Sequence, residues 1–373
     1  MLNTIIHIDS DNSKMKSRKT KEEQMIFGKT VQEVITQTLE ERTQVIDKSD
    51  LKDDMDHVVF FMAHAPLIDL TWIRANIKQY EDDVIFFKDN VERPVAIYIP
   101  GKVLSKSFDI IKGDFVNFAD LTEKLQMPYR VECMAGKAVV ESKKDLQYVI
   151  KRLQLRINEK LTDQGVTILD THSTYIDFDV KVGMDTVIYP NTILSGNTEI
   201  GEACTIGPDS RITDSLIGDE TTVKDSTILE SQVANNTSVG PYAYIRPNSK
   251  VGSHVKVGDF VEVKNAVIGD GTKISHLSYV GDADLGKNIN VGCGVVFVNY
   301  NGKEKSRSTI GDDAFIGCNS NIVAPVNVEP LSYVAAATTV TKNVPSGALA
   351  VGRAKQENKA GWVERRNLIK KKS

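Results

Sequence analysis

The chain is poor in cysteine. Only four of its 373 residues are Cys, and Cys133, Cys204, Cys293 and Cys318 are scattered, with no CxxC pair and no disulfide-like spacing. That removes the disulfide-built secreted domain from consideration, and a soluble, reducing, cytoplasmic setting is the simplest expectation. Long apolar runs are also missing. No stretch of eighteen apolar residues occurs, so no membrane insertion is expected. The opening residues MLNTIIHIDS are too short and too polar for a secretion signal. Nor is there an excess of positive charge. The formal net charge is −4, so no global basic field points to nucleic acid. What the chain does have is 41% hydrophobic and 26% charged residues, enough for one large core or two ordinary ones.

The two halves follow different patterns. Residues 1–148 read as mixed α/β. HVVFFMAHAPLID and DDVIFF look like buried strands, while KTVQEVITQTLEERTQ and LTWIRANIKQY have helical spacing. A connecting helix follows, assigned to 149–165 within SKKDLQYVIKRLQLRINEKLTDQG. Ser142, with Asp145 three residues on, can cap that segment and Gly165 can end it. Its apolar face is Leu146, Val149, Ile150, Leu153 and Ile157.

From 166 to 345 the period becomes six, occasionally five. Aliphatic residues recur from Val182 through Ile188, Leu194 and Ile200 to Val291, and again from Ile310 to Val340. Neither a helix nor a hairpin sheet has this period. A hexapeptide β-solenoid does: each hexad is a short strand and a turn, and three hexads make a triangular coil with the aliphatic residue pointing inward. An ordinary β-sandwich would space its strands by 8–12 residues. The hand of the coil does not follow from the period. Between Val291 and Ile310 the segment GCGVVFVNYNGKEKSRST holds too many residues for two hexads and reads as a polar insertion.

In a solenoid, sequence distance converts to space. Arg246 and Lys264 each follow an inward residue and are separated by three hexads, hence by one coil. They should stack ~5 Å apart and repel unless they share an anion such as a phosphate. His276 and Tyr279 follow in the next coil, Asn290 lies further along, and Lys305 sits on the insertion. A neutral imidazole suits general-base work on an ammonium nucleophile. Each of these residues alone would read as solvated. A metal is not expected: His172, His254 and His276 fall at different turn positions and do not stack.

The segment RPNSKVGSHVKVGDFVEVKNAVIGDGTKISHLSYVGDADLGKNINVGCG, followed by NYNGKEK, IGDDAFIGCNSNIVAPV and GRAKQENKAGW, resembles the acetyltransferase domain of the bifunctional N-acetylglucosamine-1-phosphate uridyltransferase/glucosamine-1-phosphate acetyltransferase family. The resemblance covers about residues 140–365. It implies a homotrimer of left-handed parallel β-helices with active sites between subunits, acetyl-CoA as donor, glucosamine 1-phosphate as acceptor and no metal for acetyl transfer. It implies that His276 is the general base and that Arg246, Lys264, Tyr279, Asn290 and Lys305 contact the sugar phosphate. It assigns the acetyl-CoA contacts to Asn299, Tyr300, Ala336 and Arg353, with Cys293 and Cys318 bordering that site. The last two depart from the family, which carries Ala and Ser there. AAAT at 335–338 likewise replaces the family's Ala-Gly-Thr pattern.

The uridyltransferase half of the family matches poorly. Its fold would be a Rossmann-like nucleotidyltransferase domain, and here it reads as a shortened remnant. The phosphate loop's glycines are gone from IDSDNSKMKS, where Asp9 and Asp11 would repel nucleotide phosphates. The family's first metal-binding Asp falls at His64 in MAHAPLID, and its second metal residue, an Asn, has no counterpart in AVVESKK. Magnesium chemistry needs these parts together, so the domain is expected to lack uridyltransferase activity. The leading expectation is therefore a single-activity acetyltransferase for wall-precursor synthesis. The alternatives are another phosphorylated amino-sugar acceptor and a non-catalytic regulatory trimer. A released site would be expected to lose His276, Asn290 or Lys305, and all three are present. The tail, 346–373, is expected to bring Arg353 to coenzyme A, with Lys370–Lys372 as a solvated end.

Overall fold

The computed structural model describes residues 2–8, 13–366 and 368. The chain forms two compact units, Met1–Thr198 and Glu199–Ser373.

The first unit opens with a six-stranded mixed sheet in the order Gln44–Val45, Asn3–His7, His57–Met62, Pro94–Pro100, Ile85–Lys88, Arg130–Cys133. The HVVFFM run is a strand with every residue after His57 buried, the unbroken apolar pattern of a strand covered on both faces. It pairs in parallel with Asn3–His7 and antiparallel with Pro94–Pro100. The second of these neighbours was not foreseen, because its terminal prolines disguise PVAIYIP as a loop. The helical spacings resolve into Val31–Glu40 and Leu70–Gln79. Thr30 and Glu33 form a reciprocal capping box on the first, and Asp69 caps the second.

The long helix runs Lys143–Asp163, so the boundary expected at 148 falls inside it. Ser142 is its cap, its hydroxyl accepting from the Asp145 N–H at 3.3 Å, and Gly165 beyond it has φ +95°. Leu146, Val149 and Leu153 are buried, but so are Gln154 and Asn158. The Gln154 amide donates to the carbonyls of Thr171, His172 and Thr174, and Asn158 donates to those of Thr171 and Thr174. These two amides satisfy carbonyls at the start of the hexads, where a solenoid otherwise presents an unpaired edge. The first hexads already pair in register, Tyr175 with Ile193 and Val187 with Thr167.

In the second unit the hexads build a parallel, left-handed β-helix with three faces. On one face Ile206, Val223, Val239, Val257, Ile274, Val291, Ile316 and Val334 lie directly over one another. The inward residues named from the period are buried throughout the chain except Val182, which is half-buried. The rhythm also continues one hexad further than expected. Phe297 is inward, 1% exposed, and pairs with Ile322, so the insertion narrows to the residues after Val298.

A second stacked layer escaped the period. Two residues before many inward positions stands a buried Ser or Thr, including Ser215, Thr221, Ser231, Thr237, Ser249 and Thr272. The Ser231 hydroxyl donates to the carbonyl of Arg246, in the next coil, and accepts from the Ser249 N–H. Thr237 does the same with Gly252 and Val255. These hydroxyls satisfy corner backbone groups that the short strands cannot reach. The corners themselves turn through left-handed residues, many of them Asn or Asp, such as Asn236, Asn248 and Asn288.

The layers imply two different costs. Ile228→Ala, at a position with 0% exposure, is expected to lose ~2–5 kcal/mol. Ser231→Ala, which strands buried backbone groups, is expected to lose ~1–3 kcal/mol. Denaturant midpoints of the two variants measure both, and an unmoved midpoint in either would contradict the corresponding layer.

Candidate active site

One corner of the second unit carries five residues in a column. Asp259 pairs in register with His276. The pairs Ile274–Val291, Val291–Ile316 and Ile316–Val334 then carry Cys293 over His276, Cys318 over Cys293 and Ala336 over Cys318. Successive members are ~4.8 Å apart by strand spacing. The Asn319 N–H donates to the Cys293 carbonyl and the Ala337 N–H to the Cys318 carbonyl, each at 2.8 Å, so the coils stay in step around the corner. Both thiols are exposed. At the far end the Arg353 guanidinium donates to the Ala336 carbonyl at 2.5 Å.

His276 Nδ1 lies 2.6 Å from Asp259 Oδ1. The contact depends on Gly258, where a Cβ would stand 2.0 Å from the Ser275 carbonyl oxygen. Its absence lets the strands Lys256–Asp259 and Lys273–His276 pair to their ends. His276 holds the Asp259 carboxyl below the ordinary aspartate range through this hydrogen bond. With Nδ1–H donated to Asp259, Nε2 carries the lone pair and is the basic nitrogen. Asp259 escaped the sequence reading, although its distance from His276 is one short coil and the same conversion of distance to space would have found it.

Around the next corner lies a polar cluster. Arg246 and Lys264 do share an edge, since Ile245 pairs with Val263. They do not form the free cation pair expected of them. Arg246 Nη1 is 2.7 Å from Glu262 Oε1, which lifts the guanidinium pKa further above its ordinary value. Like charge acts instead between Lys264 and Lys305: the neighbouring Lys264 ammonium holds Lys305 below the ordinary lysine value, against the opposing pull of Asp282. Glu262 intervenes because it is the outward residue of the same strand as Lys264, opposite Tyr244 and Tyr279.

The insertion supplies Lys305 from a small hairpin in which Tyr300 and Lys305 bridge antiparallel and Asn301 Oδ1 accepts from the N–H groups of Lys303 and Glu304. The Tyr300 hydroxyl is used within the hairpin, donating to the Gly302 carbonyl at 2.7 Å. Asn299 turns inward: its amide donates to Asp282 Oδ2 and lies 3.3 Å from the Tyr279 hydroxyl. Asn265 donates to the other Asp282 oxygen at 2.6 Å. Tyr279 folds over Gly281, where a Cβ would meet its hydroxyl at 2.3 Å. Arg307 fastens the hairpin, gripping Asp284 with Nε at 2.6 Å and the Asn265 carbonyl with Nη1 at 2.7 Å. Asp282, Asp284 and Arg307 were not read as site residues: the two carboxylates gain their partners only from Asn299 and Arg307, on an insertion whose fold has no period to decode.

Lys264, Tyr279, Asn299 and Lys305 are thus brought together, and His276 shares its column with Cys293, Cys318 and Ala336. Asn290 stands apart. It pairs across the sheet with Lys273 and Phe315, and its side chain makes no hydrogen bond among the described residues. No group of three or more His, Cys, Asp or Glu that could hold a metal occurs among the described residues. No helix among them is long and apolar enough to cross a membrane.

Comparison with known proteins agrees with this architecture. Residues 179–214 and 230–265 match the bacterial transferase hexapeptide (six repeats) model. Bifunctional protein GlmU of Clostridioides difficile is 55% identical over 243 residues, which is 64% of this chain and 53% of that protein. Bifunctional protein GlmU of Alkaliphilus metalliredigens is 51% identical over 243 residues, 65% of this chain and 53% of that protein. The chain is a homologue of the bifunctional GlmU proteins. It spans about half the length of these relatives. Among solved structures, a UDP-N-acetylglucosamine acyltransferase from Bacteroides fragilis aligns at 16% identity with a TM-score of 0.35, over 48% of this chain and 70% of its own. That likeness is too slight to bear on function.

The residues set against the GlmU metal positions have other occupations here. His64 is 1% exposed and its Nδ1 lies 3.4 Å from Glu22 Oε1, itself in a buried residue. Neither atom has an aligned hydrogen-bond partner among the described residues. Burial alone would raise the Glu22 carboxyl; the neighbouring His64, together with the Glu22 backbone and Thr20, offsets this and holds it below its ordinary value. In AVVESKK, Glu141 pairs with Lys14 at 2.9 Å. Asp9 and Asp11, and Lys370–Lys372, lie outside the described residues.

A carboxyl with a lowered folded pKa contributes stability above its unfolded value, and that contribution is lost as pH falls through the folded value. The first unit should therefore weaken below about pH 4.5, the ordinary glutamate value, and Glu22→Gln should flatten part of that acid limb. Trp72 fluorescence in a Trp362→Phe background, followed through urea titrations at pH 7 and pH 4, reads the effect. Equal acid sensitivity in the variant would contradict it.

Proposed function

We propose that this chain transfers the acetyl group of acetyl-CoA to the amine of glucosamine 1-phosphate, giving N-acetylglucosamine 1-phosphate. The observation that carries this reading is the column Asp259, His276, Cys293, Cys318, Ala336, in which a buttressed base opens onto a run of small exposed side chains. A groove floored by Cys and Ala suits a thin pantetheine arm, and Arg353 at its far end suits the phosphates of coenzyme A. Asn299 and Tyr300 join the donor side from the hairpin. Lys264 and Lys305, close enough for the one charge to act on the other, suit the sugar phosphate, with Arg246 beside them and Tyr279 on their flank.

In this reading His276 Nε2 takes a proton from the amine as nitrogen attacks the thioester carbonyl. Asp259 keeps the imidazole in the required tautomer and stabilises its protonated form. The C–N bond forms, the C–S bond breaks, and coenzyme A leaves as its thiol. No acyl-enzyme is involved.

The working form is a homotrimer in the cytoplasm. Two observations support the trimer. Asn290 lies on a different sheet from Lys264 and Tyr279, as a residue serving a neighbouring subunit's site could. Tyr242 and Phe260 stack at 5.5 Å on adjacent corners while 61% and 59% exposed, and Leu277, in the next coil, is 59% exposed. An apolar column of this kind is suited to cover by another copy. The domain order of the sequence reading, a remnant, a helix, acetyltransferase hexads to 345 and then a tail, is kept in this proposal, with the first limit moved from 148 to the helix start at Lys143. In this proposal the remnant has no uridyltransferase activity: His64 stands at the first metal position and is buried against Glu22, and AVVESKK offers no Asn for the second.

Acetyl transfer is measured as N-acetylated product formed from acetyl-CoA and glucosamine 1-phosphate. His276→Ala should lower kcat by ~10²–10⁴-fold. A folded wild-type protein without product would sink the assignment. With UTP, magnesium and N-acetylglucosamine 1-phosphate, no UDP-sugar should form; its appearance would overturn the reading of the remnant.

A further inference from the structure

Cys293 and Cys318 occupy the same corner in consecutive coils. Val291 pairs with Ile316 two residues earlier, the Asn319 N–H donates to the Cys293 carbonyl one residue later, and both side chains are exposed. Neither thiol has a hydrogen-bond partner among the described residues, unlike Cys133, which contacts Glu92, or Cys204, which is buried against the Gly218 carbonyl. In-register neighbours stand ~4.8 Å apart at Cα, inside the span that a disulfide tolerates. Parallel stacking keeps the two Cβ atoms about as far apart as the Cα atoms, wider than the ~3.8 Å of a relaxed bridge. Such a bond is strained, and strained, exposed disulfides are the readily reduced kind.

We propose that Cys293 and Cys318 are an oxidisable thiol pair whose reversible bridging closes the donor groove. A peroxide converts one thiolate to a sulfenic acid, releasing one water after proton transfer. The second thiol attacks that sulfur, the S–S bond forms, and a second water leaves. A thiol reductant restores both groups. His276, one coil below Cys293, is placed to accept the Cys293 proton in the first step. The bridge draws two side chains together across the floor that separates His276 from Ala336. The consequence for catalysis rests on the acetyl-transfer reading above, whereas the bridge itself does not.

The test treats full-length protein with hydrogen peroxide, then maps it by peptide mass spectrometry and assays acetyl transfer by chromatography of the N-acetylated sugar. A linked pair of peptides carrying Cys293 and Cys318, two mass units below the sum of the free forms, is expected. Activity should fall more than tenfold and return with dithiothreitol. Cys293→Ala and Cys318→Ser are each compared with their own reduced form, and the oxidised-to-reduced ratio should rise to near one in both. Active reduced enzyme with no linked peptide overturns the pair. A linked peptide with undiminished activity overturns the closure of the groove. A linked peptide in a protein inactive even when reduced overturns the acetyl-transfer reading and leaves the thiol pair standing.

Discussion

The parallel hydrogen-bond ladder between coils is the constraint on which the second unit depends. Because each coil repeats the last at ~4.8 Å, an inward aliphatic residue can stack only on another inward residue, as Val257, Ile274 and Val291 do. A slip of one residue would turn that whole layer outward. The same ladder rigidly spaces whatever stands at the corners. His276 is therefore held against Asp259 and beneath Cys293 by the backbone, with no side-chain packing needed to aim it.

Electrostatics divides the corner residues into settled and unsettled groups. Arg246 has Glu262, Arg307 has Asp284, and Asp282 is held between two asparagine amides. Lys264 and Lys305 have each other. Two neighbouring ammonium groups repel and are unfavourable unless an anion joins them. Arg307, by fastening the hairpin to the preceding coil, is what brings Lys305 to Lys264. The loop's position is thus as constrained as the coils beneath it.

The first unit has a mixed sheet, capped helices and a buried core, and His64 is buried in it. His64 and Glu22 form a buried acid–base contact. A buried pair of this sort contributes little net stability.

The hexad period alone determined the solenoid, its inward layer and the stacking of Arg246 on Lys264, because a repeat makes distance along the chain equal to position in space. The resemblance of HLSY and its surroundings to a known acetyltransferase domain singled out His276. The ends of the long helix were legible from Ser142 and Gly165, since caps are local chemistry. Only the tertiary structure decided which partner each charge takes. Arg246 turns to Glu262, Lys264 meets Lys305 and Asp259 buttresses His276. The first two depend on side-chain orientation and on the course of the 299–307 hairpin, which no period encodes, whereas the third was one coil away in the sequence and needed only the exact register. The hydroxyl layer and Phe297 were in the sequence all along, but they become visible only when the corners they satisfy are seen.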